Sequence, residues 1–274
     1  MKRAAIEVDG RSASYLTAGD GGRLVLLLHG TYWSRVWQPV LDGLAAAALR
    51  PVAVDFPGLG RSAGELTLAD AAVPALAAWA ERFLHALGAE GPVAVAGHDI
   101  GGAIAQHLLV KGTIEVERLA LVNSVMYESW PVPGVARYRD PEVARATSVE
   151  ELLAARRQSV TTAVARPITD AEIAEYLDPW SEPRVARSWL ALAGAADSRY
   201  TLELLPGLRA SSTPKLLVWG EADPFQLIEH AQRFAAEMPE TELIRIPGAG
   251  HIPMEKEPKA VARVLGHFFS DHRT

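Results

Sequence analysis

The stretch Val93-Ala-Val-Ala-Gly97-His98-Asp99-Ile100-Gly101-Gly102, continuing into Ala103 to Val110, constrains the fold most. A β-rich apolar run ends at a glycine, and a helix-compatible pattern begins within a few residues. The spacing predicts a buried strand, a very sharp turn and a helix. Gly97 and Gly101 each stand two residues from Asp99, as is needed where a turn brings strand and helix too close for a Cβ. A chain carrying this unit is best accommodated by a parallel sheet with helices packed on it.

The rest of the 274 residues agrees. Segments 3–8 and 12–18 read as a hairpin turned at Asp9-Gly10. Arg23 to Leu28 is a continuous apolar run leading into His29-Gly30, as expected for a strand buried on both faces. Helical patterns are expected over 36–49 and 69–87, the second closed by Gly88, with strands at 51–54 and 118–123. The loop Asp55-Phe-Pro-Gly-Leu-Gly-Arg-Ser62 lacks the Gly-Lys-Ser/Thr ending of a phosphate cradle and reads as a structural turn.

From about Met126 to Pro206 the rhythm changes. Helical patterns cover 148–165, 169–177 and 183–195, with Ser148 and Asp170 as caps of the first two. Strand and helix then alternate again: 215–220, 225–237, 241–246 and 258–269. The domain organisation expected is a core of 1–125 and 206–274 interrupted by a helical insertion over 126–205.

Three chemically capable residues fall at strand C-terminal ends, where open α/β sheets place their sites: Asp99, Asp223 and His251. Their order is nucleophile, acid, histidine. His29-Gly30-Thr31 leaves an earlier strand, where a second oxyanion N–H is needed. A simpler role for Asp99 is to cap the helix that follows it. Glu221 and Glu128 compete with Asp223 as the acid. His98 reads as a buried structural residue beneath the turn. His85, His107, His230, His267 and His272 read as surface or satisfied polar residues.

Quoted as they stand, His29-Gly30, Asp55-x-x-Gly58-x-Gly60-x-Ser62, Gly97-His-Asp99-Ile-Gly101-Gly102, Trp219-Gly-Glu-Ala-Asp223-Pro and Gly250-His251-Ile-Pro resemble the motifs of an α/β-hydrolase with a cap. The resemblance covers nearly the whole chain. It implies a mostly parallel central sheet flanked by helices, with a helical cap inserted after the sixth strand. Gly-His-Asp-x-Gly is similar to the elbows of epoxide hydrolases and of haloalkane and haloacetate dehalogenases, in which aspartate replaces serine. A carboxylate can displace at an sp³ carbon and form an alkyl ester. Water activated by His251, itself oriented by Asp223, then cleaves that ester. Backbone N–H groups of Ile100 and Thr31 are the oxyanion donors by analogy.

The resemblance also weighs the leaving groups. Haloalkane enzymes place Trp after the nucleophile and Asn after His-Gly; haloacetate enzymes place Arg after the nucleophile. Ile100 and Thr31 stand there instead, which favours an epoxide. The proline of the epoxide pattern His-Gly-x-Pro is replaced by Tyr32, so the oxyanion loop departs from that pattern too. An epoxide oxygen needs a proton donor, for which Tyr138, Tyr200 and Tyr176 are the cap candidates. Tyr32, Trp33, Trp130 and Trp180 are candidate pocket residues. A dehalogenase with the same triad is the runner-up; a lyase or cyclase, or a ligand-binding protein on this fold, are further alternatives.

The aromatic-rich insertion suggests a small apolar or aromatic substrate. No cofactor or metal is called for: no two histidines have ligand spacing, and the absence of cysteine excludes thiolate sites and disulfides. The net charge of −6 argues against nucleic acid. No apolar run approaches the roughly 20 residues of a membrane helix, and no leader is apparent, so the expectation is a cytoplasmic monomer or homodimer.

Overall fold

The computed structural model describes residues 1–271, and so excludes His272. Eight strands form one sheet in the order β1-β2-β4-β3-β5-β6-β7-β8. They are β1 (Lys2–Val8), β2 (Arg11–Thr17), β3 (Arg23–Leu28), β4 (Leu49–Val54), β5 (Val93–Asp99), β6 (Val116–Ser124), β7 (Lys215–Gly220) and β8 (Thr241–Ile246). β1 and β2 are an antiparallel hairpin, turned through Asp9 and Gly10, both at positive φ. β2 meets β4 antiparallel, and every pairing from β4 to β8 is parallel. The central strands β3, β5, β6 and β7 are almost wholly buried, which explains their unbroken apolar runs.

The helices of eight residues or more among the described residues are α1 (Val73–Ala86), α2 (Ile100–Lys111), α3 (Val149–Val164), α4 (Asp170–Leu177), α5 (Pro183–Gly194), α6 (Ile228–Glu237) and α7 (Pro258–Ser270). α2 leaves β5 with no intervening residue. Gly101 makes this possible: a Cβ there would lie 2.4 Å from the Leu28 carbonyl oxygen of β3. α3, α4 and α5 all lie between β6 and β7, with shorter turns around them, so the helical insertion follows the sixth strand.

Several boundaries differ from the sequence expectation, each for a local reason. The helix expected over 36–49 is a 3₁₀ turn, Ser34–Val40, followed by one short helix, Leu41–Ala46. Pro39 sits inside that turn, and a proline has no N–H to continue an α-helical ladder. α1 starts at Val73 rather than 69, because Thr67 and Asp70 bond each other in a separate turn and Pro74 opens the helix. Thr169, not Asp170, caps α4: its hydroxyl accepts from the Glu172 N–H while the Glu172 side chain returns to the Thr169 N–H. α6 begins at Ile228 rather than 225, since Phe225 N donates to Asp223 and the Gln226 carbonyl accepts from Trp219 Nε1.

Candidate active site

Asp99 ends β5 at φ 54°, ψ −127°, in a region that non-glycine residues avoid at a cost of about 1–3 kcal/mol. Its carboxylate makes no capping bond to α2, so the helix-cap role does not account for it. Instead Oδ2 accepts from the Thr31 N–H at 2.9 Å and from the Thr31 hydroxyl at 2.7 Å. Gly30 permits this approach. A Cβ on it would lie 2.6 Å from Asp99 Cβ, from Asp99 Oδ2 and from the Ile100 nitrogen. Thr31 and Ile100, expected as oxyanion donors, therefore meet at Asp99. Asp99 Oδ1 takes no hydrogen bond from the described residues.

His251 follows β8 and lies 3 % exposed. Its Nε2 stands 3.9 Å from Asp99 Oδ2, and its Nδ1 lies 2.8 Å from Asp223 Oδ2. A carboxylate only accepts, so Nδ1 carries the proton and Nε2 faces Asp99. Asp223 is held in turn by Asn123 Nδ2 at 2.8 Å and by the Phe225 N–H at 2.7 Å. The rival acids are elsewhere: Glu221 pairs with Arg245 and Glu128 with Arg233. His98 is wholly buried and donates from Nε2 to the His251 carbonyl at 2.8 Å, fixing the residue from behind.

The charges are coupled. Burial opposes protonation of His251, but Asp223 and then Asp99 outweigh it and raise its pKa well above the usual imidazole value. Burial likewise disfavours the Asp99 anion, yet its attraction to His251 and the Thr31 N–H hold its pKa far below the usual carboxylate range. His98 goes the other way, pulled down to about 4 by burial and by the neighbouring His251.

These groups open into a cavity of about 310 Å³. Asp99, Ile100, Thr31 and His251 line it from the sheet side; Trp130, Tyr138, Arg156 and Trp189 line it from the insertion. Of the aromatic candidates, Tyr32, Tyr138 and Trp130 reach it. The Tyr32 hydroxyl pairs with Ser159 Oγ at 2.9 Å, Tyr138 accepts from Arg137, and Trp130 Nε1 donates to Thr201 Oγ1. Tyr176, Tyr200, Trp33 and Trp180 do not line it. Tyr176 turns away to donate to Glu255 at 2.8 Å, and Trp33 Nε1 donates to the Tyr176 carbonyl. Tyr200 is part-buried against the hydrophobic core, and Trp180 is buried under Arg156.

Three residues to which sequence reasoning gave no role matter here, Asp55 among them although it opens a quoted motif. Asn123 holds Asp223. Asp55, wholly buried, accepts from Ser34 N and Arg61 N and so shapes the loop beyond Thr31. Arg156 lies in the cavity wall, 4 % exposed. It had a visible signal: the buried face of α3 runs Leu152, Arg156, Val160, Ala163, placing a cation in the apolar stripe. Among the described residues no group of three or more Asp, Glu or His could hold a metal ion, and no helix is long and apolar enough to cross a membrane.

The wound, mostly parallel sheet, with Asp99, Asp223, His251 and the Thr31 loop gathered at its strand ends, has the architecture of a hydrolase fold, and the chain belongs to the alpha/beta hydrolase family, whose model matches residues 25–264. Among its relatives, the (E)-2-((N-methylformamido)methylene)succinate hydrolase of Acinetobacter baylyi is 26% identical over 93% of this chain and 93% of that protein. A haloalkane dehalogenase of Bradyrhizobium diazoefficiens is 28% identical over 93% and 89%. The solved structure of the epoxide hydrolase CorEH superposes with a TM-score of 0.83 at 24% identity, covering 99% of each chain.

Proposed function

We propose that the protein is a cofactor-independent hydrolase that works through an ester on Asp99, with an epoxide as the substrate group. The observation that carries this reading is the Asp99 carboxylate itself. It is ionised, aimed into the cavity rather than at its helix, fixed through Oδ2, and free at Oδ1 to attack.

In the first step Oδ1 bonds to an epoxide carbon and the ring C–O bond breaks. The electron pair goes to the ring oxygen, which takes a proton from a cavity phenol, Tyr32 or Tyr138. In the second step His251 Nε2, having passed its proton to that phenolate, takes one from water as the water attacks the Asp99 carbonyl carbon. The oxyanion is held by Thr31 N–H and Ile100 N–H. The ester C–O bond then breaks, the diol oxygen takes the proton from His251, and Asp99, which keeps one oxygen of the water, returns its acid proton to His251. Ester formation helps the histidine: it neutralises one of the two carboxylates that raise its proton affinity.

The same triad serves a halide leaving group, and the Bradyrhizobium relative supports that second reading. Against it, both cavity indole N–H groups are engaged elsewhere, Trp130 with Thr201 and Trp189 with the Thr31 carbonyl. Residues 126–205 act in either case as the cap over the site.

The test is a single turnover of an aryl epoxide in ¹⁸O water with enzyme in excess. The first diol carries unlabelled oxygen from Asp99, and the label appears in the Asp99 peptide. Label in the first diol overturns the ester, while halide release from haloalkanes without diol formation replaces the epoxide reading.

A further inference from the structure

Arg156 is a buried cation that forms no ion pair among the described residues; Asp99 acts on it only through space. Its Nη2 donates to the Thr31 carbonyl at 3.0 Å, the Tyr32 side chain lies beside the guanidinium, and its Nε is buried with no hydrogen-bond partner among the described residues. Other arginines in the core–insertion seam are treated differently: Arg35 meets Glu175 and Glu255 at 2.7 and 2.8 Å, and Arg166 meets Glu172 and Glu255 at 2.6 and 2.5 Å. A guanidinium keeps its charge at any physiological pH, so burial of one calls for compensation.

Part of that compensation is aromatic. The Arg156 guanidinium carbon lies 4.5 Å from the centroid of Tyr32, 4.9 Å from Trp189 and 5.3 Å from Trp180. Ring faces stabilise a cation but accept none of its in-plane hydrogen bonds. What remains is a guanidinium, incompletely paired, in the wall of a cavity that also holds Asp99 and His251. Asp99 is the one acidic residue among the lining groups, and a second arginine, Arg137, also lines the cavity, where it meets the Tyr138 hydroxyl and ring. A chain of net charge −6 thus presents this cavity with two arginines that form no ion pair among the described residues.

We propose that Arg156 receives a carboxylate of the substrate, which makes the substrate an epoxy acid with an apolar body rather than a neutral apolar molecule. The inference rests on the Asp99 ester reading for the reacting carbon, and it names the group at the other end of the same molecule. A guanidinium edge matches a carboxylate in two parallel N–H···O bonds. Its charge also answers a specific difficulty: an anionic substrate would otherwise be repelled by the ionised Asp99. With the carboxylate held at Arg156, the neutral epoxide carbon is the part left to face Oδ1.

Binding tests this without turnover. Trp180 and Trp189 flank the guanidinium, so their fluorescence reports on the site. Benzoate is expected to quench it saturably, and benzamide, of the same shape but neutral, to bind at least 10-fold more weakly. Arg156→Gln should weaken benzoate at least 10-fold with little change for benzamide, while Arg156→Lys keeps the charge and part of the affinity. Equal binding of acid and amide, or no saturable benzoate binding, overturns the proposal. Saturable bromide binding that benzoate does not displace also overturns it, and assigns Arg156 to a leaving halide. Should Arg156→Gln not fold, Arg156→Lys and the acid–amide ratio in the native enzyme still decide.

Kinetics separate recognition from a positioning role through Thr31. For a phenylglycidate and its amide, recognition predicts that Arg156→Lys raises KM for the acid alone. Loss of kcat on both alike identifies positioning and sinks the proposal. Benzoate binding that persists while the ¹⁸O experiment fails leaves the anion site standing and removes the ester; the reverse removes the anion site alone.

Discussion

On the sheet side of the cavity Asp223 takes hydrogen bonds from His251, Asn123 and the Phe225 N–H, and Asp99 takes two from Thr31. On the insertion side Trp130 and Trp189 are paired, but Arg156 Nε is buried with no hydrogen-bond partner among the described residues. The first wall has its acids fixed before any substrate arrives, as preorganised electrostatic catalysis requires. The second leaves its cation incompletely paired. The difference separates two tasks within one cavity: damage to the sheet wall should remove rate, and damage to the insertion wall should change choice or seating.

The largest effect should come from His251→Gln. If the sheet wall carries both steps in sequence, this variant still forms the ester but cannot cleave it. Turnover should fall about 10⁴-fold or more, leaving one equivalent of product-sized adduct on the Asp99 peptide by mass spectrometry. Loss of turnover with no adduct would place His251 in the first step and break the division of labour.

Asp223→Asn should follow, with turnover reduced about 10²–10³-fold. It should also move a titration. His251 is raised chiefly by Asp223 against the pull of burial, so removing that charge lowers its midpoint toward or below 6.5, read by NMR of the imidazole. The sign has a stability counterpart. A histidine whose folded pKa is raised adds stability that is full below about 6.5 and is lost as pH climbs through the folded value. Asp223→Asn should therefore flatten the dependence of stability on pH above 6.5. An unchanged midpoint would mean that Asp99 alone holds the proton.

Glu255→Gln is the smallest of the three. Glu255 accepts from Arg35, Arg166 and Tyr176, and so ties α4 and the segment before it to the short helix Pro253–Lys256 that follows His251. Breaking a buried pair from one side costs about 3 kcal/mol, a fall of several degrees in Tm on thermal unfolding. A variant as stable as the native protein would erase the contrast between the compensated arginine at 35 and the uncompensated one at 156.

The two walls also differ in how far the sequence disclosed them. Asp99, Asp223 and His251 were legible because the backbone dictates their context. A strand must end and a helix must start around Asp99, and the other two follow apolar runs that only a buried strand explains. The insertion gave its long helices through periodicity and caps, Ser148 on α3 among them. Its inward-facing residues were not legible, since helical period does not say which aromatic turns to a cavity and which to a neighbour. Tyr176 faces Glu255 because Arg35 and Glu255 come together from positions 220 residues apart. Arg156 was the exception that could have been seen, as a cation in an apolar stripe. Asn123 carried no local mark, and the motif around Asp55 marked that residue but not what it holds; the partners of both are set by strand adjacency.

Thr31 joins the two walls in a single residue. Its N–H and hydroxyl hold Asp99, while its carbonyl accepts from Arg156 at 3.0 Å and from Trp189 Nε1 at 2.9 Å. The insertion and the core are therefore not interchangeable modules. A helical segment grafted from a relative would have to bring donors to those two places, or the residue that holds the Asp99 carboxylate would lose its far anchor. In this molecule the exchange of one insertion for another is tied, through one residue, to the placement of that carboxylate.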